Sequence, residues 1–313
     1  MGGSGGGGPF VHRTPENLRN VVRKSEDETT VAAFGAELSR MLGDLLGSFN
    51  SRDLHLTNSR LDEVKNALQG ATEASFDQLF GGSVAKHTYV DGLSDIDSLI
   101  LINGSGLERK SPQEVLERMD DIIRNHLGSH AAVDHGRMAV TVTFRDGMVI
   151  QLLPAIKTDD SHLRVPSSRR DDWSKINPIA FQEALTRRNQ ECGSKLVPTI
   201  KLAKAINGQL PEGQRLSGYH IEALAIAAFK NYKGELTTSK MLPAFFEHAR
   251  ELVLSPVRDS TGQSVHVDEH LGPPNNETRL ALSHVLGRIA RRMRNASAAG
   301  STPQWRAIFG LDQ

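Results

Sequence analysis

The sequence predicts an α+β protein: a mixed sheet flanked by helices, followed by a C-terminal helical domain. Three observations predict it. Apolar residues recur at helical spacing over residues 28–47 and 53–69. The pattern then changes to a compact apolar run, Leu99-Ile100-Leu101-Ile102, and to two β-rich segments joined by Asp146-Gly147. Beyond residue 178 the helical period returns and continues to about residue 296. The chain therefore divides into a flexible N-terminal segment (1–27), a sheet-bearing core with its N-terminal helices (28–165) and a helical domain (166–313).

Each element has a local cause. In 28–47 the apolar residues at helical spacing are Val31, Phe34, Leu38, Met41, Leu45 and Leu46. Ser111-Pro112-Gln113-Glu114 opens a helix: Ser111 caps, Pro112 fits the first helical position and Glu114 completes a capping box. Val115, Met119, Ile122 and Ile123 form that helix's buried stripe. Strands are expected over Met138–Phe144 and Met148–Leu153, with Asp146-Gly147 as the hairpin turn. Residues 157–178 are rich in Asp, Arg and Ser and read as a long loop. Helices are expected over 178–191, 194–207, 217–232, 239–253 and 276–296.

Composition narrows the function classes. The 313 residues carry 37 Lys and Arg against 37 Asp and Glu. A balanced charge disfavours a protein built around a nucleic acid, and no stable nucleic-acid partner is expected. Cys192 is the one cysteine, so a reducing cytoplasm suits the chain and a free structural thiol is the simplest role for it. No apolar run reaches the roughly 18 residues of a membrane span, so no membrane partner is expected. The opening MGGSGGGGPF lacks the basic start and apolar core of a signal peptide and reads as a flexible tail or linker.

The chemistry-bearing stretch is Gly81-Gly82-Ser83, followed by Ser94-Asp95-Ile96-Asp97. In a strand, residues two apart project to one face, so Asp95 and Asp97 would place two carboxylates side by side. Such a pair is costly unless a cation neutralises it, and magnesium favours oxygen ligands of this kind. Upstream, Gly82 lets a phosphate approach the main chain, and Ser83 adds a hydroxyl donor at a helix start. Either element alone is common on protein surfaces. Their joint spacing, followed at once by an apolar strand, points to nucleotidyl transfer.

These residues carry a resemblance. Gly82-Ser83, Thr88 and Ser94-Asp95-Ile96-Asp97 resemble the Gly-Ser…Asp-x-Asp signature of the polymerase-β-like nucleotidyltransferase superfamily. Ile150-Gln151-Leu152-Leu153-Pro154-Ala155-Ile156 resembles the strand that carries the family's third carboxylate. Leu196 to Lys204 and Ser217 to Leu224 are similar to its nucleotide-holding helices, and Asp268…Gly272…Asn275-Asn276 to a late segment of the bacterial cGAS/DncV-like (CD-NTase) branch. The likeness spans about residues 55–295.

The resemblance implies a polymerase-β-like core with a helical nucleotide-binding domain. It implies an enzyme that joins nucleoside triphosphates into a cyclic or short linear second messenger in bacterial antiviral defence. Asp95 and Asp97 would hold Mg²⁺ or Mn²⁺. Gly82 and Ser83 would hold phosphate, Lys201 and Ser217 the triphosphate, and Tyr219 would stack on a base. Partners would be nucleoside triphosphates and an activating ligand or regulatory protein. One position departs from the pattern: where the family has its third acid, this chain has Gln151. A carboxamide offers a neutral oxygen and cannot act as a carboxylate base or neutralise a second cation. Two rival readings follow, a degenerate enzyme that binds nucleotide or a partner with little catalysis, and an enzyme that modifies RNA or an antibiotic.

Several residues keep two readings. Without the resemblance, Lys201 and Lys204 are a solvated helix face. Ser217 is equally suited to cap a helix, and Tyr219 to fill a core. His266, Asp268, Glu269 and His270 have the composition of metal ligands but the spacing of a polar loop. Arg288, Arg291, Arg292 and Arg294 form a basic stretch that could meet phosphates or simply face solvent.

Overall fold

The computed structural model describes residues 15–49, 54–70, 77–80, 96–159, 162–167, 171–257, 268 and 271–311. Its elements run α1 (Pro15–Ser48), α2 (Leu54–Gly70), β1 (Asp77–Phe80), β2 (Ile96–Leu101), α3 (Pro112–Leu127), β3 (Ala131–His135), β4 (Val140–Phe144), β5 (Val149–Lys157), β6 (Leu163–Pro166), β7 (Trp173–Ile176), α4 (Pro178–Glu191), α5 (Leu196–Gly208), α6 (Gly218–Ala228), α7 (Thr238–Leu252), α8 (Glu277–Ala298) and α9 (Thr302–Ile308). The expected α+β architecture with a helical C-terminal part is what forms.

The sheet order is β1-β2-β5-β4-β3, with β6 pairing β5 and β7 pairing β6. β2 and β5 run parallel, and the other pairs are antiparallel. Period-two alternation sends Val133, Val140, Val142, Ile150, Leu152 and Ile100 to one face. There they meet Leu61, Val64 and Leu68 of α2 and the stripe of α3. That stripe contains Val115, Met119, Ile122 and Ile123 as read from the sequence, and the Ser111–Glu114 capping box is present in full. The Asp146-Gly147 turn also forms: Gly147 has φ 86°, its N–H donates to Phe144 O, and the Met148 N–H donates to Asp146 Oδ1.

A second core holds the helical half. Leu196, Ile200, Leu224, Met241, Leu242, Phe245, Phe246, Met293 and Trp305 are all buried in it. Leu38, Met41 and Leu42 of α1 pack into this helical cluster, not against the sheet.

Two expectations need correction. The segment 157–178, expected as a loop, contains the β6–β7 hairpin. Leu163 and Val165 are buried there against Leu99 and Ala155, but four-residue strands interrupted by Ser, Arg and Pro give too few alternations to register. The N-terminal segment expected to be flexible through residue 27 is helical from Pro15. The described side chains of its first turns are exposed, so no buried stripe marks them. Local contacts such as Thr29 Oγ1 to Ser25 O (2.8 Å) and Lys24 with Glu28 (3.9 Å) accompany them instead. β1, β3 and α9 were likewise too short to stand out.

Candidate active site

The parallel pairing of β2 with β5 sets the site's geometry. It places Asp97 opposite Gln151, Ser98 opposite Leu152 and Leu99 opposite Leu153. On the other side of β5, Gln151 lies opposite Thr141 of β4, and Thr141 opposite Asp134 of β3. Positions 97, 151, 141 and 134 therefore form one polar row across the sheet, at about 4.8 Å per strand. The flanking rows, containing Val142 with Ile150 and Val140 with Leu152, belong to the face buried under α2 and α3. The polar row lies on the opposite face. Gln151 and Thr141 are half-buried in it.

This register gives the departure at Gln151 its physical weight. The residue on the strand next to Asp97, in line with it, is a carboxamide. Asp146 does not replace the missing charge. It sits in the β4–β5 turn, where Arg60 bonds it (Nη2 to Oδ2, 2.9 Å) and also stacks 4.7 Å over the Phe144 ring. The Met148 backbone N–H holds the Asp146 carboxyl below its ordinary range, against burial, and Arg60 adds to the effect. Asp95, Gly82, Ser83 and Thr88 lie outside the described residues, as does the side chain of Asp97.

A second group of candidates sits on α5 and α6. Lys201 is half-buried on α5. Ser217 is the N-cap of α6: its Oγ accepts from the His220 N–H at 3.2 Å. It is exposed, so its own O–H can still donate outward, and the capping and phosphate roles are compatible. Tyr219 is 37% exposed, with its ring 4.5 Å from that of Phe181 at 40°. A partly exposed ring held against Phe181 is compatible with stacking on a base.

Lys204, read as solvated, is instead buried and paired with buried Glu222 (Nζ to Oε1, 2.8 Å). Helical period alone missed this because Glu222 is 18 residues away on another helix. Asp268, read as part of a polar loop, is also fully buried, bonded to Arg279 at 2.6 Å. His266, Glu269 and His270 lie outside the described residues. Arg288, Arg291, Arg292 and Arg294 are exposed on α8, and Arg294 lies 3.6 Å from Glu247. Cys192 is buried and its thiol is pushed up by burial, as fits an inert structural thiol.

Asp120, Asp134 and His135 bring ligand-type atoms within 4.8 Å of one another. They lie at β3, about three strands or 14 Å from β2. Asp120 is already bonded by Arg124 Nη2 (2.6 Å) and by His135 Nδ1 (2.8 Å). Burial pushes its carboxyl up, but the bonds from His135 and Arg124 outweigh this and hold it below the ordinary range. The Asp120–His135 contact fastens α3 to β3, and Asp134 of this cluster is the far end of the row that begins at position 97.

Comparison with known proteins places these elements. Residues 37–189, which include β2 and β5, match the model of the SMODS family, the Second Messenger Oligonucleotide or Dinucleotide Synthetase domain. Among solved structures, the chain is similar to CdnC of E. coli MS115-1 with ATP, at 19% identity and TM-score 0.60, over 90% of this chain and 97% of that one. The same CdnC was also solved as a CdnC:HORMA-deltaN complex. The CD-NTase CdnG of Bradyrhizobium diazoefficiens with GTP aligns at 16% identity and TM-score 0.67, over 88% and 95% of the two chains. The cyclic AMP-GMP synthase DncV of Vibrio cholerae with a nonhydrolyzable GTP aligns at 12% identity and TM-score 0.58, over 96% and 92%. These likenesses are of fold. No curated protein matches the chain significantly.

Proposed function

We propose that the chain, which matches the SMODS model over residues 37–189 and shares the fold of CD-NTases, is a bacterial cGAS/DncV-like nucleotidyltransferase that joins nucleoside triphosphates into a cyclic or short linear oligonucleotide messenger. The observation that carries the proposal is the β2–β5 register, which sets Asp97 beside Gln151 on the open face inside the SMODS match. In the reaction, a ribose hydroxyl of one nucleotide attacks the α-phosphorus of another. A new P–O bond forms, the bond to the β-phosphate breaks, and pyrophosphate leaves with the electron pair. The hydroxyl proton passes to a nearby base or to water.

The residue types fit a divalent cation, Mg²⁺ or Mn²⁺: carboxylates at 95 and 97 and a neutral oxygen at 151. Such an ion would activate the hydroxyl and stabilise the leaving pyrophosphate. The chain's own residues do the rest. Gly82 and Ser83 would hold phosphate, while Lys201 and Ser217 would hold the triphosphate tail and Tyr219 the base. ATP and GTP, present in the structures of the relatives, are the first substrates to test. An activating ligand or regulatory protein, a cytoplasmic location and a role in antiviral signalling complete the proposal. Replication of phage in cells with and without a functional copy tests the last of these.

Ser83→Ala and Lys201→Ala are expected to weaken triphosphate binding about tenfold each, since a bond to a charged group contributes roughly 1.5–3 kcal/mol. Neither should change the melting temperature much. Calorimetric titration with ATP and GTP measures this, and unchanged affinity would retire the two assignments.

Gln151 favours a second reading, an enzyme of this fold that binds nucleotide and turns over poorly. Two cations about 4 Å apart need more negative charge than Asp95 and Asp97 supply. Gln151→Asp is therefore expected to raise the rate about tenfold or more and to lower the Mg²⁺ concentration needed for half-maximal rate. If the wild-type chain already works at full rate and the variant is no faster, position 151 does not limit this enzyme.

A further inference from the structure

The feature that the proposed reaction leaves unexplained is the ion pair inside the helical half. Lys204 and Glu222 are 6% and 1% exposed. A buried ion pair carries a large desolvation cost, and apolar residues of similar size often stabilise a fold as well or better. Stability alone is thus a poor reason for this pair. Its location offers another.

Lys201, Lys204 and Asn207 follow one another at three-residue steps on α5, so each neighbours the next along the helix surface. The two later members are committed to the start of α6. Asn207 clamps the backbone of Leu216 from both sides, donating from Nδ2 to Leu216 O (2.9 Å) and accepting the Leu216 N–H at Oδ1 (2.8 Å). Lys204 reaches past the first turn of α6 to Glu222. Its Nζ would stand 3.3 Å from a Cβ at Gly218, and its Cε 3.4 Å, so the ammonium rests directly against that turn. Glycine at 218 admits the approach; a larger residue would push the ammonium away.

The first member, Lys201, feels the arrangement. Burial pushes its ammonium below the ordinary lysine value, and the charge of Lys204 pushes it the same way. Lys201, the Lys204 ammonium and the turn that carries Ser217 and Tyr219 are therefore one coupled unit.

We propose that Glu222 is a positioning residue for the triphosphate site: through Lys204 it fixes the first turn of α6 beside Lys201. The proposal rests on the reading above, in which Lys201 and Ser217 hold a triphosphate. Glu222 touches no substrate. It anchors the Lys204 ammonium and offsets its charge, and the anchored ammonium sets where Ser217 and Tyr219 stand relative to Lys201.

The test separates positioning from mere stabilisation. The full chain is titrated calorimetrically with ATP, GTP and inorganic triphosphate, each with Mg²⁺, and melting temperatures are recorded in parallel. Lys204→Met combined with Glu222→Leu removes both charges of the pair together. It is expected to fold with an unchanged or higher melting temperature, yet bind the probes about tenfold more weakly. Gly218→Ala keeps both charges and displaces only the ammonium. It is expected to keep its stability and lose affinity several-fold; it decides the matter if the double variant does not fold. Wild-type affinity in Gly218→Ala and in the folded double variant, with Lys201→Ala weakened, would reduce the pair to a structural role and overturn the proposal. Failure of the wild-type chain to bind any probe, or full affinity in Lys201→Ala, would remove the triphosphate site itself and the proposal with it.

Discussion

Asp97→Asn is expected to lower nucleotidyl transfer about a thousandfold, since losing a metal's Lewis-acid role costs several kcal/mol and each 1.36 kcal/mol is tenfold in rate. Among the described residues, the adjoining positions of its row carry no charge. The register puts a carboxamide, Gln151, on the adjoining strand and a hydroxyl, Thr141, one strand further. The nearest acid on the β4–β5 turn, Asp146, is bonded to Arg60. Asparagine keeps the size and loses the charge, and the row containing position 97 lies opposite the face packed under α2 and α3. The variant should therefore keep its circular dichroism spectrum and melting temperature. A folded Asp97→Asn protein with full turnover would remove position 97 from the reaction.

The largest effect on stability is expected at Arg279. Its side chain is fully buried and serves four acceptors: Val253 O (2.9 Å), Asp268 Oδ2 (2.6 Å), Gly272 O (3.0 Å) and Asp268 O (3.2 Å). Asp268 in turn accepts the Val257 N–H at 3.0 Å, and its Oδ2 lies 3.6 Å from His220 Nε2 on α6. One guanidinium thus ties together the end of α7, Asp268, Gly272 and the start of α8. Arg279→Ala would leave a buried carboxylate without its cation and several carbonyls without a donor. Breaking a buried pair from one side costs about 3–5 kcal/mol. Chemical denaturation should show that loss, and Arg279→Lys should recover only part of it, because an ammonium cannot match the planar fork. An Arg279→Ala protein as stable as the wild type would show that the clasp contributes nothing.

What the sequence disclosed and what it hid differ by range. The capping box at Ser111–Glu114, the stripe of α3 and the Asp146-Gly147 turn are set by residues a few positions apart, and each was legible. The apolar run 99–102 announced a strand because burial on both faces leaves a continuous signal. The β6–β7 hairpin was hidden by its brevity, and the first turns of α1 by the absence of any buried face. At the site, Gln151 could be read as a departure from a pattern, but only pairing shows that it stands in line with Asp97. The buried roles of Lys204 and Asp268 were invisible for the same reason. A charged residue has no sequence mark of burial when its partner, Glu222 or Arg279, lies on another element.

The account is tested most directly by the products of the wild-type chain. The protein is incubated with all four ribonucleoside and all four deoxyribonucleoside triphosphates and Mg²⁺ or Mn²⁺, and the mixture is analysed for pyrophosphate and by mass spectrometry. The account predicts pyrophosphate together with at least one phosphodiester-linked nucleotide product, both absent when Asp97→Asn replaces the wild type. Triphosphates that remain unjoined beside a folded protein, or that are cleaved without forming a linkage, would contradict it.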